Sequence, residues 1–323
     1  MIILINSYYS LFILSMKTEF YIRGDKLISR QAWEKIILGI KKSIEERGED
    51  LSDKYKAREV LKQEIVRVVE QRLLLVEDEG LGLMFSGGVD SSLIAMIARK
   101  AGKDVVCYTV GFHEGASKEP EDVVWAVRTA KELGVRIKTR IFDLKEAEAL
   151  IRRTVRILGA QLNNVVNVGV GAVELACIEM AKEDDVKYLF SGLGSEEVFA
   201  GYQRHMDAGN RQAECWRGLI GMYERDLLRD VRIATSGGIS FLTPFLDKSL
   251  IAVAMRIPAE LKIDKRGLKI ILREAAEDLG LPVDVAWRKK RAAQYGSRLD
   301  KAISKLARKK GFMYKKDYLK SLE

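Results

Sequence analysis

The sequence predicts an α/β protein, a doubly wound parallel sheet with a mostly helical C-terminal part. Three observations predict it. Short apolar runs alternate with helix-length amphipathic stretches between residues 81 and 190, the pattern of a parallel sheet with helices on both faces. Two loops rich in glycine and serine, FSGGVDSS at 85–92 and SGLGSEE at 191–197, each lie at the end of such a run. Ligands of open α/β sheets collect beyond the carboxyl ends of the strands. Past residue 205 the alternation gives way to helical periodicity.

The elements follow in order. Lys56 to Leu75 carries apolar residues at helical spacing (Val60, Leu61, Ile65, Val68, Val69, Leu73) with charges between them, which predicts a helix. LGLMF, 81–85, is a short apolar strand, and Val89 to Lys100 is the helix after it, stopped by Gly102. DVVCYTVGF, 104–112, is the second strand, and Pro120 opens the helix EDVVWAVRTAKEL that Gly134 closes. VRIKTRIF, 135–142, is the third strand, two helical stretches fill 145–183, and VKYLF, 186–190, is the fourth strand.

Composition fits a folded chain: 323 residues with 47% hydrophobic and 31% charged residues exclude a disordered one. With 4 prolines and no repeat period, neither a linker nor a repeat array is expected. Cys107, Cys177 and Cys215 lie far apart without a CxxC pair, which argues against zinc and disulfides and predicts a cytoplasmic protein. Cys107 and Cys177 read as small core residues. The two histidines, His113 and His205, fall near the predicted ligand rim. The net charge of +9 reads first as a lysine-rich solvated surface and also suits polyanions such as ATP or RNA.

Residues 1–16, MIILINSYYSLFILSM, carry no charge but lack the basic n-region and cleavage site of a secretory signal, and they are short for a membrane span. The expected division is an over-long start at 1–15 with the true start at Met16, an extension at 16–57, the main domain at 58–300 and a basic helical tail at 301–323. No membrane partner is expected. The tail interleaves Phe312, Tyr314 and Tyr318 with basic residues; it reads as a solvated amphipathic helix, with RNA contact as the lesser alternative.

The loop SGGVDSS is built for a phosphate. Gly87 and Gly88 let the backbone turn tightly and aim successive N–H groups at one anion, and the following helix adds the positive end of its dipole. Ser86, Ser91 and Ser92 supply hydroxyl donors, and Asp90 can hold a Mg²⁺ that neutralises phosphate charge. A Walker A loop would need a lysine that is absent here, and GxGxxG is not matched either.

This loop resembles the pyrophosphate-binding loop of the N-type ATP pyrophosphatases, the PP-loop superfamily with an adenine nucleotide α-hydrolase-like fold. The resemblance implies cleavage of ATP between the α and β phosphates, adenylation of an acceptor and release of pyrophosphate. SGLGSEEVFAGYQRH (191–205), PFLDKSLIAVAMRIP (244–258) and LKIILREAAEDLGLPVDVAWRKK (268–290) are similar, in order and spacing, to the synthetase domain of the asparagine synthetase family. That likeness covers roughly residues 58–300.

By this resemblance Ser86, Gly87, Gly88, Asp90, Ser91 and Ser92 form the pyrophosphate loop, and Met84, Val110, Ser191 and Gly192 contact the nucleotide. Lys269 meets charge on the transferring phosphates, Arg288 and Lys290 lie near the phosphates, and Asp90 and Glu196 hold Mg²⁺. The implied reaction joins ammonia to the side-chain carboxylate of aspartate, or to another carboxylate, through an acyl-adenylate. Four positions depart from the family. Its SGxGSDE places a polar catalytic residue where Leu193 stands and an aspartate metal ligand where Glu196 stands, and its GxEARxPFLD carries an acid and an arginine where this chain has Ser240 and Leu242.

Neither Met1 nor Met16 is followed by the cysteine nucleophile of the family's glutaminase domain. The implied nitrogen source is free ammonia, a separate glutaminase subunit, or an amine on the acceptor. Two other functions remain open at this point: a PP-loop enzyme acting on another carboxylate or an RNA base, and a nucleotide-binding regulatory subunit that has lost catalysis.

Overall fold

A computed structural model describes residues 19–48, 50–76, 80–115, 118–289 and 292–323. The expected start at Met16 and Lys290 lie outside the described residues.

The chain opens with a hairpin of β1 (Ile22–Arg23) and β2 (Lys26–Leu27), then α1 (Arg30–Arg47), neither of which the periodicity predicts. Ser29 caps α1 by accepting from the Ala32 amide, filling one of the orphan donors at a helix start. Trp33 and Ile37 of α1 are fully buried. α2 (Lys54–Leu74) follows, capped by Asp53. The expected alternation then holds: β3 (Gly80–Met84), α3 (Val89–Lys100), β4 (Val106–Phe112), α4 (Glu121–Leu133), β5 (Arg136–Phe142), α5 (Leu144–Leu162), α6 (Val165–Glu183) and β6 (Val186–Phe190). Asp143 and Glu146 close a reciprocal capping box at the head of α5.

Five parallel strands pair in the order β5-β4-β3-β6-β7, with β7 (Ser240–Leu242) on the edge. β7 escapes a sequence reading because three residues are too few to show a period; it is fixed by pairing Phe241 against Leu189. The order reverses between β4 and β6, so β3 and β6 flank the switch point, where open sheets bind ligands. β4 shows why helices cover both faces. Tyr108, Val110 and Phe112 pack into one core with α5 and α6, while Cys107 points into the other with α2 and α3, as the two-residue period requires.

After β6 come α7 (Ser195–Val198), α8 (Arg211–Met222), a π-helical turn at Tyr223–Leu227, α9 (Leu228–Gly237), α10 (Lys248–Arg256), α11 (Ile270–Asp278), α12 (Leu299–Lys309) and α13 (Lys315–Lys320), with shorter turns between. The basic tail is helical and packs one face inward: Ala302, Ile303, Leu306, Tyr318 and Leu319 are buried in the second core, and Tyr314 is exposed. Trp33 and Ile37 of α1 share the first core with α2 and α3, so packing continues across residues 19–57. The three cysteines are free and buried. Among the described residues no helix is long and apolar enough to cross a membrane.

Candidate active site

Two loops at the ends of β3 and β6 build the site. Phe85 continues β3 by donating its amide to the Tyr108 carbonyl, and Ser191 continues β6 by donating to Leu242. Gly87 then turns with φ of +68°, and a Cβ there would sit 2.9 Å from the Trp125 carbonyl, so only glycine fits. Gly88 caps α3, leaving the N-terminal amides of that helix facing the loop. Ser91 Oγ bonds the Gly88 carbonyl at 3.3 Å and accepts from the Ser86 amide at 3.4 Å, pinning the turn to the helix it feeds. Ser92 is fully buried and its hydroxyl has no partner.

Lys269 stands at the centre. Its Nζ lies 2.9 Å from both Asp90 carboxylate oxygens, 2.9 Å from Ser195 Oγ and 2.8 Å from Glu196 Oε1. The lysine occupies left-handed backbone at φ of +58°, one residue before α11. Burial pulls its pKa down, but the facing carboxylates of Asp90 and Glu196 outweigh that and raise it, so the side chain stays a cation. Gly201 closes over this cluster: a Cβ would overlap both the Glu196 carboxylate and the Lys269 side chain. The two loops also touch directly, for a Cβ on Gly192 would lie 3.1 Å from Asp90 Cβ.

Arg288 is held against the loop at 85–92. It donates to the Ser86 carbonyl, pairs with Asp122 at 2.7 Å, and lies 5.2 Å from the Trp125 ring centroid. Arg273 holds the segment behind it, donating to the carbonyls of Leu268 at 2.9 Å and Arg288 at 3.2 Å. With Lys269, Arg266 and Lys289 they line a basic cavity of about 320 Å³.

A second cavity, of about 330 Å³, shares Asp90 and Glu196 with the first and runs the other way. Met84, Val110, Ser191 and Gly192 line one end. At its far end Arg204, Arg225 and Arg229 meet Glu174, Asp226 and Asp230. Arg229 lies 2.5 Å from Asp230, 3.5 Å from Glu174 and 3.4 Å from Asp226. Its Nε and Glu174 Oε2 are buried without hydrogen-bond partners. Burial raises the Asp230 carboxyl above its ordinary range, opposed by Arg229 and reinforced by Glu174 and Asp226.

The structure therefore brings together Ser86, Gly87, Gly88, Asp90, Ser91, Gly192, Glu196 and Lys269. His205 is fully buried beneath this region, where its Nδ1 accepts from the Tyr202 amide and burial lowers its pKa to about 4. Neither His205 nor His113 lines the two cavities. Sequence reasoning missed the arginine–acid cluster at the far end. Its signal was present in ERDLLRD, 224–230, where Arg225 and Arg229, and Asp226 and Asp230, repeat four apart and so share a helix face.

Leu193 faces the same cavity with its amide bonded to Ser191 Oγ at 3.2 Å, while Leu242 is buried on β7. Chemically the arrangement is an anion cradle beside a convergent carboxylate pair. Asp90 and Glu196 are hard oxygen donors aimed at one cation position, which Lys269 fills here. Such a donor set suits Mg²⁺, which takes one or two carboxylates and completes its shell with phosphate oxygens and water. Among the described residues no group of three or more His, Cys, Asp or Glu side chains could hold a metal ion.

The family model described as asparagine synthase matches residues 60–218 and 207–312. A curated relative from Methanocaldococcus jannaschii, named "Putative asparagine synthetase [glutamine-hydrolyzing] 1", is 31% identical over 274 residues, covering 73% of this chain and 49% of the relative. The asparagine synthetase [glutamine-hydrolyzing] of Gallus gallus is 30% identical over 70% of this chain and 41% of its own length, and that of Homo sapiens 29% over 69% and 40%. The chain thus spans about half or less of the length of these relatives. A solved NH3-dependent NAD synthetase from Campylobacter jejuni aligns at a TM-score of 0.38 and 13% identity, over 82% of this chain and 92% of that one. The family model runs through both loops, Lys269 and the basic segment around Arg288, and on that match the chain belongs to the asparagine synthase family.

Proposed function

We propose that this protein is an ATP-dependent amide ligase that forms AMP and pyrophosphate, activating a carboxylate as an acyl-adenylate before an amine attacks it. The observation that carries the reading is the convergence of Asp90, Glu196 and Ser195 on Lys269 between the two loops of the switch point. The loop amides after β3 and the Ser86, Ser91 and Ser92 hydroxyls bind the β and γ phosphates. Met84, Val110, Ser191 and Gly192 hold the nucleoside end. Asp90 and Glu196 would hold Mg²⁺, which when bound supplies charge neutralisation on the phosphate oxygens.

Lys269 moves from the carboxylates to the phosphates once nucleotide enters. Its charge stabilises the negative charge that builds as the α–β bond breaks, an effect strongest in a buried site. Arg288 fixes the loop by holding the Ser86 carbonyl, so the cradle needs little rearrangement. Pyrophosphate leaves into the basic cavity of Arg266, Arg273 and Lys289. The acceptor carboxylate lies towards Arg225 and Arg229, and the unpaired Nε of Arg229 offers it a donor. Aspartate is the first acceptor to test and ammonia the first donor, free or delivered by a separate glutaminase subunit.

The test is product analysis of the purified chain with ATP, Mg²⁺, aspartate and ammonium. AMP, pyrophosphate and asparagine, all abolished by Asp90→Ala, support the full reading. ADP as the product overturns it, and no turnover while nucleotide still binds across a panel of carboxylates overturns it in favour of a regulatory nucleotide-binding subunit.

A further inference from the structure

Gln294 lies in the short helical turn Ala293–Gly296, lines the second cavity and is only 5% exposed. Its carbonyl oxygen, Oε1, is buried without a hydrogen-bond partner. An unpaired buried acceptor is costly, and such groups in folded proteins nearly always find a donor. No protein group supplies one here, and the side chain borders a cavity, so the donor arrives with a ligand.

Two contacts fix the place of this side chain. The Phe112 amide donates to the Ser297 carbonyl at 2.8 Å, which seats the turn against β4 just beyond Val110. On the other side α6 approaches so closely that a Cβ on Gly169 would lie 2.8 Å from Gln294 Cβ, an approach that glycine permits. α6 runs beside β4. Cys177 Sγ donates to the Tyr108 carbonyl at 3.8 Å, and Gly169 lies about 12 Å nearer the start of that helix, at about 1.5 Å per residue. Val166, Val170 and Val173 of α6, with Met84 and Val110 of the strands, give the cavity apolar walls. Such walls suit the faces of a planar ring and leave its edge to the carboxamide.

We infer that Gln294 reads the base of the nucleotide and selects adenine by its 6-amino group. The inference rests on the adenylating reading above and names the side chain that sets its nucleotide. A carboxamide presents an acceptor and a donor side by side. Adenine presents the matching N6–H donor and N7 acceptor along one edge. Oε1 accepts from N6–H while Nε2 donates to N7. Guanine carries two acceptors on that edge, O6 and N7. Whichever way the carboxamide is turned, one of them meets Oε1, and acceptor faces acceptor. A purine with hydrogen at position 6 leaves Oε1 without a donor.

The experiment uses the purified chain with Mg²⁺ and a carboxylate panel, reading binding by calorimetry and adenylation as ATP–pyrophosphate exchange. The ligands are ATP, GTP and purine riboside triphosphate, which is ATP with hydrogen in place of the 6-amino group. ATP should bind about tenfold or more tighter than either of the others, within the usual discrimination of one bidentate base contact. Gln294→Met keeps most of the volume and removes both polar groups. It should weaken ATP about tenfold and leave purine riboside triphosphate within about twofold, so that their difference closes. Gly169→Ala, which displaces the carboxamide without changing it, should act in the same direction.

Equal binding of ATP and purine riboside triphosphate by the unaltered chain overturns the inference, while exchange with ATP still upholds adenylation. A Gln294→Met variant that weakens both ligands equally also overturns it, since that is the mark of a structural role. If exchange is absent with every carboxylate while the ATP preference holds and closes in Gln294→Met, the adenylating reading fails and the base reading stands. If no nucleotide binds, both are overturned.

Discussion

The Lys269 ammonium sits 2.9 Å from both oxygens of the Asp90 carboxylate, bridging the helix after β3 to the segment before α11. Because Glu196 lies 2.8 Å from the same nitrogen, one cation holds two acids that would otherwise repel in a buried site. Lys269→Met should therefore do two separable things. ATP–pyrophosphate exchange should fall about 10²- to 10³-fold, the usual loss on removing one transition-state donor. Stability without ligand should fall by about 3 kcal/mol, as when one partner of a buried ion pair is removed, and millimolar Mg²⁺ should restore part of it. Urea denaturation with and without Mg²⁺ checks the second claim, and a drop that Mg²⁺ leaves untouched counts against the shared cation position.

Gly201 is the steric counterpart of that relationship. A methyl group there must displace Glu196 and Lys269 together, whereas a Cβ on Gly209 meets nothing within 4 Å. Gly201→Ala should reduce exchange by at least tenfold, and Gly209→Ala should leave it within about twofold, since misplacing a catalytic group by about an ångström costs up to 10²-fold. Equal behaviour of the two variants would show that the Glu196–Lys269 geometry is not needed.

Arg288 ties the loop after β3 to α4 through Ser86 and Asp122. Both ion-pair partners are nearly inaccessible, at 5% and 4% exposure, so the pair escapes the screening that makes surface pairs weak. Arg288→Met should destabilise the protein by about 3 kcal/mol and raise the KM for ATP. In a cycle with Asp122→Asn, the double variant should recover part of the loss. Strict additivity would show that the two side chains act independently.

The two glycine-rich loops of the candidate site were legible because their signals are local. SGGVDSS and SGLGSEE carry their own turn chemistry and lie at strand ends, and the four longer strands have flanking helices that mark them. β7 has neither advantage: its three residues become a strand only by pairing with β6. Lys269 could be named from its place in the family pattern, but its three partners, Asp90, Ser195 and Glu196, come from α3 and from α7. The arginine–acid end of the second cavity was the least legible. Leu193, Ser240 and Leu242 announced that family groups are missing, yet the charges that line that end come from α6, from α9 and the π-helical turn before it, and from Arg204 in the short helix at Gln203–Asp207. Nothing at positions 240–242 refers to Arg225 or Arg229; tertiary packing alone brings them together.

Lys262 offers a pH test away from the site. It is fully buried, with its ammonium 3.9 Å from Met255 Sδ. Burial lowers its pKa from an ordinary 10.5 to about 8. Between those values the unfolded chain binds more protons than the folded one, so this group makes stability rise with pH across that window. Below about 8 the full cost applies, up to about 3 kcal/mol at 1.36 kcal/mol per pKa unit. Lys262→Met removes the buried charge and keeps most of the volume. It should stabilise the protein by about 1–3 kcal/mol at pH 7 and by clearly less at pH 10, measured by urea denaturation at both. A gain of the same size at both pH values would assign the effect to packing and not to the ammonium.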